Sequence, residues 1–170
     1  MQTTIVHPLR ERCISMLRWA TGALAAVAGL AVAVMISVTC VDVVGRWFGR
    51  PLTGAYDVVE LLGAIAIMGA LPYTTACKGH VAIDFLIHKL PGCVSRAVDV
   101  LMHLVTISMF AFLTWRFVQY GMELKASGQV TLTLRWPIFW MPYWMALCSA
   151  VMLLVLVFKL VRPGKELMKP

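Results

Sequence analysis

Four stretches of this 170-residue chain run long enough without a charge to enter a bilayer, and no other feature constrains its fold as strongly. Crossing about 30 Å of hydrocarbon takes about 20 mostly apolar residues in a helix, each adding about 1.5 Å. The first run covers 19–41, between Arg18 and Asp42, and the second covers 61–77, between Glu60 and Lys78. The third begins near Val100 and stops before Arg116; the fourth covers 136–158, between Arg135 and Lys159. The second and third runs are shorter than a full crossing, so their helices are expected to start at the flanking acids Glu60 and Asp99. The fold class that follows is an all-α membrane protein. Its single membrane domain, 19–158, holds four transmembrane helices at about 19–41, 60–77, 99–115 and 136–158, between an N-terminal tail, 1–18, and a basic C-terminal tail, 159–170. Composition agrees. The chain is 61% hydrophobic and 14% charged, with a mean hydropathy of +0.83, whereas a soluble domain has about 45–50% apolar and about 25% charged residues. An ordinary soluble enzyme is excluded, because a globule this small needs far more polar surface.

The first run follows a basic start, as a secretory signal would, but it exceeds the about 7–15 residues of a signal core and Asp42 and Arg46 follow it directly. It reads as a retained span. No loop is long enough to form a catalytic unit, and the chain shows no internal repeat. Arg10, Arg12, Arg18, Lys78, Lys89, Arg96, Lys159, Arg162, Lys165 and Lys169 fall on one side of the four spans. Arg46, Arg50, Arg116, Lys125 and Arg135 fall on the other. Positive charge concentrates on the cytoplasmic side of membrane proteins, so both termini are expected in the cytoplasm. The net charge of +7 is then mostly a topology signal. Nucleic acid is not an expected partner, since the bases are spread over three segments without a cluster or a binding motif; anionic membrane lipids are.

Small residues mark helix faces that can approach closely. Gly22 and Ala26, Ala25 and Gly29, and Gly29 and Ala33 are pairs four apart in the first span, and Gly63, Ala66, Gly69 and Ala70 continue the theme in the second. Such faces serve packing within the chain or packing against another subunit, and the sequence does not choose between them. Pro72 is expected to kink the second helix and Pro137 to start the fourth. Trp136, Trp140 and Trp144 recur every four residues with Tyr143 beside them, which predicts interfacial anchors.

Ionisable groups at mid-membrane are costly and normally mark function. All eight acids lie at span ends or in loops, unlike a small antiporter that needs a deep acid; His103 alone is well inside a span. The polar groups gather at two boundaries instead. Asp42 and Arg46 have the spacing of an ion pair if the first helix continues that far, and Asp57 and Glu60 have that of a capping box opening the second. Between the second and third spans, Lys78, His80, Asp84, His88 and Lys89 alternate with apolar residues, which predicts a short amphipathic surface helix. His80, Asp84 and His88 would share one face of it, but a fourth ligand is missing and the same face suits solvent, so no metal is expected. Cys13, Cys40, Cys77, Cys93 and Cys148 are scattered and form no C-x-x-C, which indicates neither a redox couple nor a zinc site.

Taken together, Asp42, Gly45, Arg46, Arg50 and Pro51, then Tyr56, Asp57 and Glu60, then Gly69, and the run Gly79, His80 and Asp84 resemble the small membrane subunit of tripartite ATP-independent periplasmic (TRAP) transporters, the DctQ-like family. The resemblance runs from about Arg18 to Phe158. It implies a non-catalytic subunit in the bacterial inner membrane that binds a large multi-span permease subunit and works with a periplasmic substrate-binding protein. It also implies sodium-driven uptake of an organic acid, with the substrate and ion sites in the large subunit. Asp42, Arg46, Asp57, Glu60, Gly69, His80 and Asp84 are then candidates for the partner interface or for structure. No catalytic residue, substrate-binding residue or cofactor is expected. The alternative is a haem-carrying membrane anchor of an electron-transfer enzyme, with His103 and His80 as axial ligands.

Overall fold

A computed structural model describes residues 6–77 and 92–161. The surface helix expected after the second span, with His80, Asp84 and His88, lies outside the described residues. Among the described residues there are four helices: α1 (Val6–Trp47), α2 (Ala55–Ala76), α3 (Gly92–Ser127) and α4 (Trp140–Val161). Each contains a segment long and apolar enough to cross a membrane, namely Ile14–Trp47, Ala55–Ala76, Val100–Ser127 and Trp140–Leu160. The chain is an all-helical membrane protein.

The helix ends follow from local chemistry. Closing α1 is a Schellman motif: the Arg50 N–H donates to the Gly45 carbonyl at 2.8 Å and the Gly49 N–H to the Arg46 carbonyl at 3.0 Å. Gly49 supplies the positive φ of 70° that this turn requires, and Pro51 then prevents the helix from resuming. Four residues separate Gly49 from Gly54, which also takes a positive φ, 87°, at the N-cap of α2. Within α2, Pro72 sits at a buried position and the helix continues past it to Ala76.

The third helix departs most from its expected span. It does not stop at Arg116 but continues to Ser127, because a helix backbone satisfies its own hydrogen bonds whether or not the side chains are apolar. Arg116, Glu123 and Lys125 are exposed on its surface. The fourth helix starts at Trp140. Pro137 therefore does not open it: Pro137 pairs with Val130 in an isolated antiparallel bridge across the loop between α3 and α4.

In space the helices are ordered α1, α2, α4, α3. α1 packs along α2, α2 along α4, and α4 along α3, while among the described residues α3 meets neither α1 nor α2. The start of α1 reaches the end of α4, where Ile14, Leu17 and Phe158 surround buried Ala76 and Val155. The start of α1 and the end of α4 thus lie at the same end of the bundle. Large apolar side chains face outward along α3, among them Leu101, Val105, Met109 and Phe112, a surface that hydrocarbon covers and water would not tolerate.

Candidate functional site

The polar chemistry collects at the end of the bundle that carries the α1–α2 and α3–α4 loops. Of the charged residues described there, Asp42 and Asp57 are buried, and each carboxylate holds a loop in place. α1 extends through Trp47, so Asp42 and Arg46 lie one turn apart and form the expected ion pair, with Arg46 Nη2 at 2.8 Å and Nε at 2.9 Å from Asp42 Oδ2. The other oxygen, Oδ1, accepts the Leu52 N–H at 2.9 Å. One acid thereby fixes both the last turn of its own helix and the loop that leads into α2. Arg46 remains well exposed, so its charge adds little by itself; the bond to the Leu52 N–H is what ties the helix end to the loop.

Asp57 does something the sequence did not indicate. It sits in the first turn of α2, but the helix start shows no side-chain cap at Gly54, and the expected capping box with Glu60 does not form. Asp57 turns instead to the α3–α4 loop. Oδ2 accepts the Thr133 and Leu134 N–H groups, both at 2.9 Å, and Oδ1 accepts the Thr133 hydroxyl at 3.4 Å. That loop is itself closed by the Thr131 N–H on the Trp136 carbonyl at 2.9 Å and the Trp136 N–H on Thr131 Oγ1 at 3.0 Å. Leu134 covers Gly54, where a Cβ would stand 2.5 Å from the leucine Cγ. Asp57, Gly54, Thr131, Thr133 and Leu134 form one clasp across segments more than seventy residues apart.

Glu60 parts company with Asp57: it is exposed on α2 and makes no ion pair among the described residues. Gly69 lies on the opposite side of the helix, where a Cβ would meet the Leu24 carbonyl oxygen at 3.1 Å and the Ala28 Cβ at 3.3 Å. It is a contact point between α1 and α2. The glycines of α1 behave differently, since a Cβ on Gly22 or Gly29 meets nothing within 4 Å; Leu24 and Ala28 are the α1 residues that meet Gly69, and Thr21 and Ala31 are buried beside them along the helix.

The four aromatic positions also divide. Trp136 stands in the loop, more than half exposed, so the four-residue repeat does not describe one helical face. Trp140 and Tyr143 are exposed near the start of α4, and the Tyr143 ring packs at 3.0–3.2 Å from where a Gly121 Cβ would be. Trp144 turns inward, with a buried Nε1 that finds no acceptor among the described residues. At the other end of the bundle, Lys159 Nζ donates to the Thr75 carbonyl at the last turn of α2, a favourable place for a cation. His103 is half-buried on α3, while His80 and Asp84 lie outside the described residues. Among the described residues no three His, Cys, Asp or Glu side chains come together to hold a metal.

The family model described as "Tripartite ATP-independent periplasmic transporters, DctQ component" matches residues 35–165, well over half of the chain. No curated protein and no solved structure is significantly similar to it. The match gives no support to the electron-transfer alternative. It begins before Asp42 and runs through the Asp57 clasp, α3 and all of α4, and so it covers every element that builds the polar end: the chain belongs to the DctQ family, the small permease subunit of TRAP transporters.

Proposed function

We propose that this chain braces the scaffold of a large permease subunit in a sodium-driven transporter of organic acids, served by a periplasmic binding protein. It does so in a bacterial inner membrane, with both termini in the cytoplasm. One observation carries the supporting role beyond family membership. The buried charged side chains among the described residues are Asp42 and Asp57, both at one end and both engaged by protein donors. A path for an organic anion or sodium needs polar groups or a water-filled cavity deep in the bundle. Here the interior between the helices is built from Ala28, Ala31, Ala66, Cys148, Met152 and Val155, with the hydroxyls of Thr21, Thr75 and Ser149 as its polar groups and no charged side chain among the described residues.

Reconstitution into vesicles tests the reading. Labelled organic acids, among them a dicarboxylate, a keto acid and a sialic acid, are offered with an inward sodium gradient to the full set of three proteins and to sets lacking one. Uptake is expected only with all three and only with the gradient. Uptake by this chain alone, or full uptake without it, would overturn the proposal.

A further inference from the structure

We infer that one face of α2 is the seat for a transmembrane helix of the large permease subunit, and that this helix carries a lysine or arginine opposite Glu60. The inference rests on the proposed function and adds to it the surface, the depth and the charge of the contact. Tyr56, Glu60, Gly63, Ile67 and Thr74 recur at spacings of three, four and seven, so they lie along one side of the helix. Tyr56, Glu60, Ile67 and Thr74 are exposed, and a Cβ at Gly63 meets nothing within 4 Å. The other side, with Ala55, Ala66, Gly69, Pro72 and Ala76, is buried against the rest of the chain.

Glu60 gives the face its meaning. It lies five residues past the start of α2 at Ala55, about 7.5 Å along the axis at about 1.5 Å per residue. An ionised carboxylate on an outward apolar surface at that depth is unfavourable, and membrane acids normally face a cavity or a basic partner. The nearby carboxylates are spoken for: Asp42 holds Arg46 and the Leu52 N–H, and Asp57 holds the α3–α4 loop. Glu60 has no cation among the described residues. One turn further in, Gly63 lets a neighbouring backbone come close, as small residues do where membrane helices cross. A base on the incoming helix would then reach the carboxylate without lifting the helix away from α2.

A second copy of this chain fits less well. Its exposed helical bases include Arg116 on α3, and joining α3 of one copy to α2 of the next unites two different surfaces, a contact that tends to propagate.

The test uses the assembled membrane complex with a photoreactive amino acid placed at Tyr56 or Ile67, and at Leu30 of α1 or Met109 of α3 for comparison. Adducts to the large subunit are expected from both α2 positions. In parallel, Glu60→Gln is expected to lower the yield of large subunit recovered with this chain about threefold to tenfold, the range that interhelical polar contacts in membranes support. The melting of the isolated chain should stay unchanged, because Glu60 makes no ion pair among the described residues. Adducts to lipid only, to a second copy, or to the large subunit from α1 or α3 alone would overturn the inference, as would an unchanged yield with Glu60→Gln. If the large subunit does not co-purify with the unaltered chain, the proposed function fails as well; if it does and α2 is silent, only the placement fails.

Discussion

A single carboxylate joins the two halves of this chain at their loop end. Asp57 satisfies two backbone N–H groups of a loop that its own helix never meets in sequence. Asp57→Ala leaves both donors without their carboxylate and should loosen the loop against the start of α2. Hydrogen exchange at Thr133 and Leu134 is the direct measurement: both amides should exchange faster in Asp57→Ala and keep their protection in Glu60→Gln. Gly54→Ala should act on the same clasp from the other side. It places a side chain at a φ of 87°, which costs about 1–2 kcal/mol for a non-glycine residue, and drives a methyl into Leu134. A thermal scan in detergent should show Gly54→Ala melting earlier than the unaltered chain, and an unchanged midpoint would count against the clasp. These contacts were not legible in the sequence for a physical reason. The donors at Thr133 and Leu134 are backbone groups that every non-proline residue has, so no residue type announces them. The Asp42–Arg46 pair was legible, since both partners lie on one helix at a spacing that fixes their separation.

At the scale of the helices, the apolar runs announced all four elements because a bilayer imposes length and polarity together. They misplaced the ends wherever helix and membrane part company, as at Arg116, where the backbone continues as α3, and at Pro137, where a bridge to Val130 delays α4. The glycines show what pattern alone leaves open. Gly22, Gly29, Gly63 and Gly69 all read as packing positions, yet among the described residues only Gly69 of these four lies against a neighbouring helix. Gly69→Ala should therefore separate α1 from α2 by pressing on the Leu24 carbonyl and Ala28, at about 1–3 kcal/mol for overpacking. Gly63→Ala should leave the isolated chain within about 0.5 kcal/mol, as for other surface changes, and weaken only its hold on the large subunit. Melting of the isolated chain and recovery of the complex, measured on both variants, separate internal packing from docking; equal effects on both would mean that the two glycines face the same surroundings.

The described residues form a row of helices with a polar clasp at one end. α1 begins and α4 ends at the end opposite the clasp, and Lys159 donates there to the last turn of α2. Arg116 lies inside α3, eleven residues before its end at Ser127, while Arg46 and Lys125 stand in the last turns of α1 and α3. The loop end keeps Arg46, Arg50, Lys125 and Arg135, and Arg46 is neutralised by Asp42. Bases near short loops resist translocation, so the clasp should face the periplasm and the tails the cytoplasm. Leu132, which is 92% exposed at the tip of the α3–α4 loop, offers the test. With the exposed Cys40 replaced by alanine, Leu132→Cys should react with a membrane-impermeant maleimide added to intact cells, and a fluorescent protein fused after Pro170 should fold and fluoresce. Protection of Leu132→Cys together with a dark fusion would reverse the orientation, placing the Asp57 clasp and Glu60 on the side away from any periplasmic binding protein.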